Sequence, residues 1–101
     1  MVRVALAVRL RAKPGKENEV AKFLKDALPA AQAESQTPVW FALRFGPGEF
    51  GIFDAFAEDA GRKAHLAGPI AAALMKRAAE LFSEPPKIEQ VEVLAVKVTT
   101  S

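Results

Sequence analysis

The chain has 101 residues, no cysteine, no tyrosine, one histidine and a formal net charge of +2. This is the length of one domain, and we expect residues 1–101 to form it. Without cysteine there are no disulfides, thiolate metal sites or thiol nucleophiles, and the basic residues are too scattered for a nucleic-acid-binding stripe. No apolar run approaches the length of a membrane span, and we expect a cytoplasmic protein.

The N-terminal third predicts a strand followed by an interrupted helix. Residues 2–12 alternate between apolar and other side chains with a period of two, which predicts a strand. A turn at residues 13–15 follows, and apolar positions then recur at helical spacing from about Lys16 to Ala31. Pro29 lacks an amide proton, so we expect it to kink or interrupt this helix near its last turns.

The middle of the chain predicts a hairpin. Two strands, residues 39–45 and 50–57, flank a compact turn at residues 46–49. One face of the first strand carries only apolar side chains: Val39, Phe41, Leu43 and Phe45. Both faces of the second strand are largely apolar, as is expected of a strand that is buried on both sides.

The last third predicts two helices and a final strand. Acidic residues favour the start of a short helix over residues 58–67. Gly68-Pro69 breaks this helix, and proline suits the first position of the next one, residues 70–82. A valine-rich strand is predicted over residues 87–98, with a bulge where its alternation slips at residues 93–94.

The order of these elements, βαββαβ, is typical of the ferredoxin-like α+β fold. In that fold an antiparallel four-stranded sheet carries both helices on one face. The other face would be left bare and apolar in a monomer. We therefore expect a second copy of the chain to cover it, which gives a homodimer through the sheet faces.

Four features of the chain carry a resemblance to a known family. They are the turn Lys13-Pro14-Gly15-Lys16, the aromatic-rich hairpin from Trp40 to Phe56, Asp59-Ala60 followed by His65-Leu66, and Gly68-Pro69. Together they resemble the antibiotic-biosynthesis-monooxygenase-like domains of the dimeric α+β barrel superfamily, over nearly the whole chain. The resemblance implies a homodimeric barrel with a pocket between sheet and helices in each subunit. It also implies, for some members, oxidation of polycyclic aromatic substrates by molecular oxygen without a cofactor.

The chain departs from patterns within that family at several positions. Members that oxygenate haem use an asparagine on the first strand, whereas the inward positions here would be Ala5 and Ala7. Many members carry a second histidine after the proline, where this chain has Ile70, and quinone-forming members often use a tyrosine. Because the asparagine on the first strand is missing, haem degradation ranks last among the functions that the resemblance implies.

His65 is the leading candidate for a catalytic residue. A neutral imidazole could take a proton from an activated phenol or a dicarbonyl carbon near neutral pH. The resulting carbanion could then react with oxygen directly. The competing interpretation is a packing or capping histidine near the end of a short helix.

The candidate substrate-binding residues are Trp40, Arg44, Asp54, Phe53 and Phe56. Trp40 could stack on a planar substrate, or it could be a core or interface aromatic. Arg44 could bind a carboxylate or stabilise an enolate, or it could pair with Asp54 or Glu92 across the sheet or the dimer. Asp54 could act as a base or orient the histidine, or it could pair with an arginine. Phe53 and Phe56 would line any pocket, or they would belong to the core.

Two classes of function follow from these residues. The first is a cofactor-independent oxidation of a small, planar, enolisable or aromatic substrate; the second is a non-catalytic homodimer that binds a small ligand or has a structural role. No metal or other cofactor is expected, because one histidine and no cysteine leave only dispersed carboxylates. The enzyme hypothesis predicts that His65 shares one cavity with Trp40, Arg44 or Asp54.

Overall fold

The computed structural model describes residues 1–99, which form one antiparallel sheet of four strands and four helices. In chain order the elements are β1 (Val4–Arg11), α1 (Glu17–Asp26), α2 (Leu28–Ala33), β2 (Val39–Gly46), β3 (Glu49–Phe56), α3 (Asp59–Leu66), α4 (Pro69–Leu81) and β4 (Lys87–Glu92). The predicted βαββαβ order is confirmed, with each helical region divided in two. Pro29 lies in the first turn of α2, where its missing amide proton breaks no helical bond.

The sheet has the strand order β2-β3-β1-β4, and all neighbouring strands are antiparallel. The two central strands are therefore β3 and β1. In the register of the sheet, Asp54 of β3 lies opposite Leu6 of β1 on one side and opposite Trp40 of β2 on the other. These three residues consequently share one face of the sheet, because side chains across a ladder point the same way.

The helices cover that face and enclose the core with it. The buried residues that pack together there are Val8, Leu10, Ala12, Val20, Leu24, Phe50, Ile52, Leu74, Leu81 and Phe82. Burying one such large apolar side chain is worth about 1.5–3 kcal/mol, so this cluster holds the helices onto the sheet. The longest helix, α4, has 13 residues. Within residues 1–99, no helix has the combined length and apolar character needed to cross a membrane.

The first strand turns its large residues, not its alanines, toward the helices. Val8 and Leu10 belong to the helix-side core, and Leu6 lies on the same face. Because strand residues alternate in direction, Ala5 and Ala7 point to the opposite face. The two predicted inward positions of β1 therefore lie on the face of the sheet away from the helices.

The outer face is the face of the sheet opposite the helices. Its edge carries the predicted apolar row of β2, which we call the outer row: Val39, Phe41, Leu43 and Phe45. Phe41 and Phe45 are 54% and 51% exposed, and Leu43 is 37% exposed. The burial of β3 on both faces is confirmed, since six of its eight residues are buried. The outer row is thus an exposed apolar strip beside a well-covered central strand.

The final strand is shorter than predicted. It ends at Glu92 instead of Val98, and residues 93–98 form no regular ladder; we call them the tail segment. The reason lies in its neighbour: Glu92 is opposite Val4, the first residue of β1, so the tail segment has no strand left to pair with. One further backbone hydrogen bond, donated by Val93 N to Arg3 O at 3.0 Å, follows the last pair of the ladder.

The hairpin of β2 and β3 contains one close approach that requires a glycine. A Cβ on Gly51 would lie 2.7 Å from the Val8 carbonyl oxygen and 2.8 Å from the Cε2 atom of Phe45. The register of the hairpin shifts between Arg44 and Gly46, and the intervening Phe45 ring lies over Gly51. The guanidinium of Arg9 stacks on the same ring, 4.0 Å from its centroid. Glycine therefore provides the space that this ring occupies.

Candidate functional site

His65 lies buried between two carboxylates. The imidazole is 6% exposed, and it sits in the last turn of α3. Its Nδ1 atom is 2.5 Å from Oε1 of Glu34, the residue that follows α2. Its Nε2 atom is 2.9 Å from Oδ2 of Asp54, on the helix-facing side of β3. The Phe56 ring lies beside the imidazole, with 5.6 Å between ring centroids. We call Glu34, His65 and Asp54 the His65 cluster.

Two further contacts hold the His65 cluster in place. The hydroxyl of Thr37 donates a hydrogen bond of 2.8 Å to Oε1 of Glu34. Arg62, one turn before His65 on α3, donates to the Ala5 and Val91 carbonyl oxygens at 3.2 and 3.3 Å, and it pairs with Asp59 at 2.9 Å. This arginine fastens α3 to two strands, so His65 is positioned by the sheet as well as by its helix.

The His65 imidazole is a cation at neutral pH. Burial lowers its pKa, but hydrogen bonding and charge interactions with Asp54 and Glu34 outweigh burial and raise the pKa to about 9. Both ring nitrogens then carry protons and face carboxylate oxygens. A base must be unprotonated to accept a proton, so His65 becomes available for that role only as the pH approaches 9.

Three side chains near the cluster keep buried polar atoms that lack hydrogen-bond partners within residues 1–99. They are Glu34 through Oε2, Asp54 through both carboxylate oxygens, and Trp40 through Nε1. The ion pair with His65 at 2.9 Å is therefore the one polar side-chain contact of Asp54 within residues 1–99. Unpartnered buried groups are costly, so these carboxylates depend on the imidazolium for their stability.

A surface depression of about 270 Å³ opens above the cluster. Glu34, Thr37 and His65 line it, together with Gly61 and Gly68. Gly61 allows α3 to pack closely here, because a Cβ at this position would lie 2.9 Å from the Gln36 carbonyl oxygen. We call this hollow the His65 depression. Trp40, Arg44 and Asp54 do not line it, so His65 contacts Asp54 directly but shares no cavity with any of the three.

The remaining predicted site residues lie elsewhere. Trp40 packs against the helix-side core next to Asp54 in the register. Arg44 is exposed and donates to the carbonyl oxygens of Gly46 at 3.3 Å and Pro47 at 2.9 Å, with its guanidinium 4.8 Å from the centroid of Phe50. Neither Asp54 nor Glu92 pairs with this arginine. It stabilises the hairpin turn and does not reach His65.

The two phenylalanines of β3 fall on opposite faces of the sheet. Phe56 is fully buried beside His65. Phe53 is on the outer face, stacked on Phe41 of the neighbouring strand with 6.5 Å between ring centroids. The candidate residues therefore divide into a group at the His65 cluster, a hairpin contact, and an aromatic pair on the far side of the sheet.

A hollow with a larger volume than the His65 depression lies at that aromatic pair. It has a volume of about 520 Å³ and lies, partly open to solvent, between the start of β2, the end of β3 and the tail segment. Its lining residues are Val2, Pro38, Val39, Trp40, Phe41, Phe53, Ala55, Val93, Ala95, Val96, Lys97 and Val98. We call it the tail cavity. The resemblance placed a pocket between sheet and helices, but apolar core side chains fill much of that space.

Sequence reasoning missed two components of these sites. Glu34 stands in a polar connection, and no spacing in the sequence links it to His65, 31 residues away. The tail segment was assigned to the last strand, although its broken alternation at residues 93–94 was a signal that the ladder ends there. Within residues 1–99, no group of three histidine or acidic side chains converges in a way that could hold a metal ion.

The fold defines a class of small α+β proteins that includes proteins named as antibiotic biosynthesis monooxygenases. One of these, from Nitrosomonas europaea and only provisionally so named, has a TM-score of 0.81 and 16% identity, over 91% of this chain and 99% of its own. Rv0793 from Mycobacterium tuberculosis has a TM-score of 0.82 and 16% identity, over 95% and 99%. At such identities the likeness concerns the fold alone, and the predicted fold is confirmed.

A more similar structure defines the family. NE2512, a protein of unknown function from Nitrosomonas europaea, is 61% identical, with a TM-score of 0.95 over 100% of this chain and 98% of its own. The chain belongs to the family of this protein. No protein-family model matches the chain, and no curated protein matches it.

Proposed function

We propose that this protein binds a small, flat aromatic molecule in the tail cavity. One observation carries the proposal: a cavity of about 520 Å³ whose walls include the stacked pair Phe41 and Phe53. Small-molecule sites usually have volumes of roughly 300–1,000 Å³ and are mostly apolar with few polar groups. Aromatic walls favour a planar ligand, because offset stacking of rings adds about 0.5–1.5 kcal/mol to the burial of area.

A second candidate is the cofactor-independent oxidation of such a molecule, and the names of the fold neighbours favour it. A methylene carbon between aromatic rings would lose two hydrogens and gain one oxygen atom from O2, and the other oxygen atom would leave as water. A base must first remove a proton to give the carbanion that O2 oxidises. His65 would be that base, and the substrate would lie in the His65 depression. The imidazole, whose pKa is about 9, would accept the proton in its neutral form, which prevails at a pH above that value.

One panel of ligands tests both candidates. Trp40 is the single tryptophan and the chain has no tyrosine, so ultraviolet-excited emission reports on the edge of the tail cavity. We expect saturable changes in emission with naphthalene- and anthrone-type ligands but not with a bulky cage hydrocarbon. Phe53→Ala should weaken binding by about ten-fold, whereas Phe23→Ala, on the helix side, should not.

Oxygen uptake separates binding from oxidation in the same samples. If the protein oxidises its ligand through His65, uptake with anthrone-type ligands should increase as the pH rises toward 9 and should be lost in His65→Ala. Binding without uptake at any pH identifies a non-catalytic ligand-binding protein. Absence of binding for every flat ligand contradicts the tail-cavity proposal.

We also propose that the protein is a homodimer formed through the outer face of its sheet, so that Val39 and Phe41 belong both to the wall of the tail cavity and to the dimer contact. The support is the outer row, in which three large apolar residues in succession on one face are between 37% and 54% exposed. A contiguous apolar strip of this kind is unusual on a monomer and common at interfaces.

Leu43→Lys is expected to weaken this dimer by about ten-fold or more, because it places a charge in an apolar contact. Light scattering across a dilution series should give a mass near twice 10.9 kDa for the unmodified chain and a lower mass for the variant. Met75→Lys on α4, which replaces a residue that is 54% exposed on the helix side, is the matched control and should leave the mass unchanged. A monomer mass for the unmodified chain at micromolar concentration would exclude the dimer.

A further inference from the structure

The tail cavity carries a single positive charge. Among the residues that line it, Lys97 alone is charged, and the others have apolar or aromatic side chains. Within residues 1–99, Lys97 makes no ion pair, and no carboxylate lines the cavity. The lining contributed by residues 1–99 therefore carries one positive charge and no negative charge.

Because Lys97 is an exposed residue of the lining, we place its charge at the mouth of the cavity. The residue is exposed and lies near the end of the tail segment, while the aromatic walls belong to the sheet. A lysine stem packs along apolar surface and keeps its ammonium group at the water boundary. An anionic group on a ligand would be costly to bury completely, but at the mouth it could pair with the ammonium group and remain partly hydrated.

We infer that the ligand of the tail cavity is a flat aromatic monoanion, with its ring system between the sheet and the tail segment and its charged group paired with Lys97. A carboxylate, a phenolate or an enolate would each satisfy this chemistry. The inference rests on the proposed function, because it specifies which aromatic molecules the cavity prefers. Apolar walls strengthen the selection, since charges interact more strongly next to a region of low dielectric constant.

Calorimetric titration with two probes of the same shape tests the inference: naphthalene carboxylate and its neutral carboxamide. We expect the carboxylate to bind the unmodified protein about five-fold more tightly than the carboxamide, the preference that one partly exposed ion pair provides. Lys97→Met should abolish the preference and leave carboxamide binding unchanged, and Lys97→Arg should retain it. Lys76→Met, at an exposed position on α4, is the matched control and should behave as the unmodified chain.

The outcomes separate this inference from the proposed function. Equal affinities of the two probes for the unmodified protein, or a preference that survives in Lys97→Met, would overturn the inference while the cavity remains a binding site. Binding of neither probe would overturn both. Added salt should reduce the preference for the carboxylate without changing carboxamide binding, because screening acts on the ion pair alone.

Discussion

Replacement of His65 by alanine is expected to lower the free energy of unfolding by about 3–5 kcal/mol at neutral pH, the usual cost of removing one partner from a buried ion pair. Asp54, which is 1% exposed, and Glu34 would lose the cation that lies between them. Urea denaturation at fixed protein concentration measures the change, since any dimerisation makes apparent stability depend on concentration.

Two controls show whether the loss comes from the unpaired carboxylates. Lys63→Ala lies on the same helix and removes only an exposed pair with Asp59, at 3.3 Å, so it should change stability by less than about 1 kcal/mol. Adding Asp54→Asn to His65→Ala should recover part of the loss, because it removes one buried charge. A His65→Ala variant as stable as Lys63→Ala would show that the cluster does not hold α3 to β3.

Stability is also expected to fall with rising pH, by about 3 kcal/mol in total through His65. The pKa of His65 is about 9 in the folded chain and near 6.5 when unfolded. The folded state therefore binds more protons between these two values, and the slope of unfolding free energy against pH is negative there. The contribution is fully present below pH 6.5 and is lost as the pH rises through about 9.

Nuclear magnetic resonance can measure the pKa directly, because His65 is the single histidine and its ring signals need no assignment. Denaturation curves at several pH values should show the decline in the unmodified chain and a flatter dependence in His65→Ala. All other titratable groups are common to the two proteins, so the difference between the two curves isolates the imidazole. Titration of His65 near or below 6.5 would contradict the cationic cluster.

Periodicity predicted most of the fold because it reports on local geometry. The alternation in Val39–Phe45 correctly predicted which side chains form the outer row. Pro29 correctly predicted that the first helical region is interrupted. The end of β4 could not be predicted in this way. The valines of the tail segment continue a strand-like composition, but a strand also needs a partner, and β1 begins opposite Glu92.

The candidate site was only partly accessible from the sequence. Asp54 could be singled out as a carboxylate on an apolar strand face, and His65 as the single imidazole. Their contact depends on how α3 packs across β3, and the second carboxylate, Glu34, comes from a connection elsewhere in the chain. The protonation of His65 follows from that three-way contact. Sequence patterns carry information about neighbours along one element, not about which elements meet.

The ring of Phe45 on Gly51 has a consequence for how the hairpin assembles. The outer-face positions of β3 are Glu49, Gly51, Phe53 and Ala55, and among them Gly51 alone has no side chain. A hairpin that slipped by two residues would place this ring against Phe53 or Glu49, where another side chain already occupies the space. The glycine therefore specifies the register in which β2 and β3 pair without a steric clash. Pairings in another register would be less stable and disfavoured during folding.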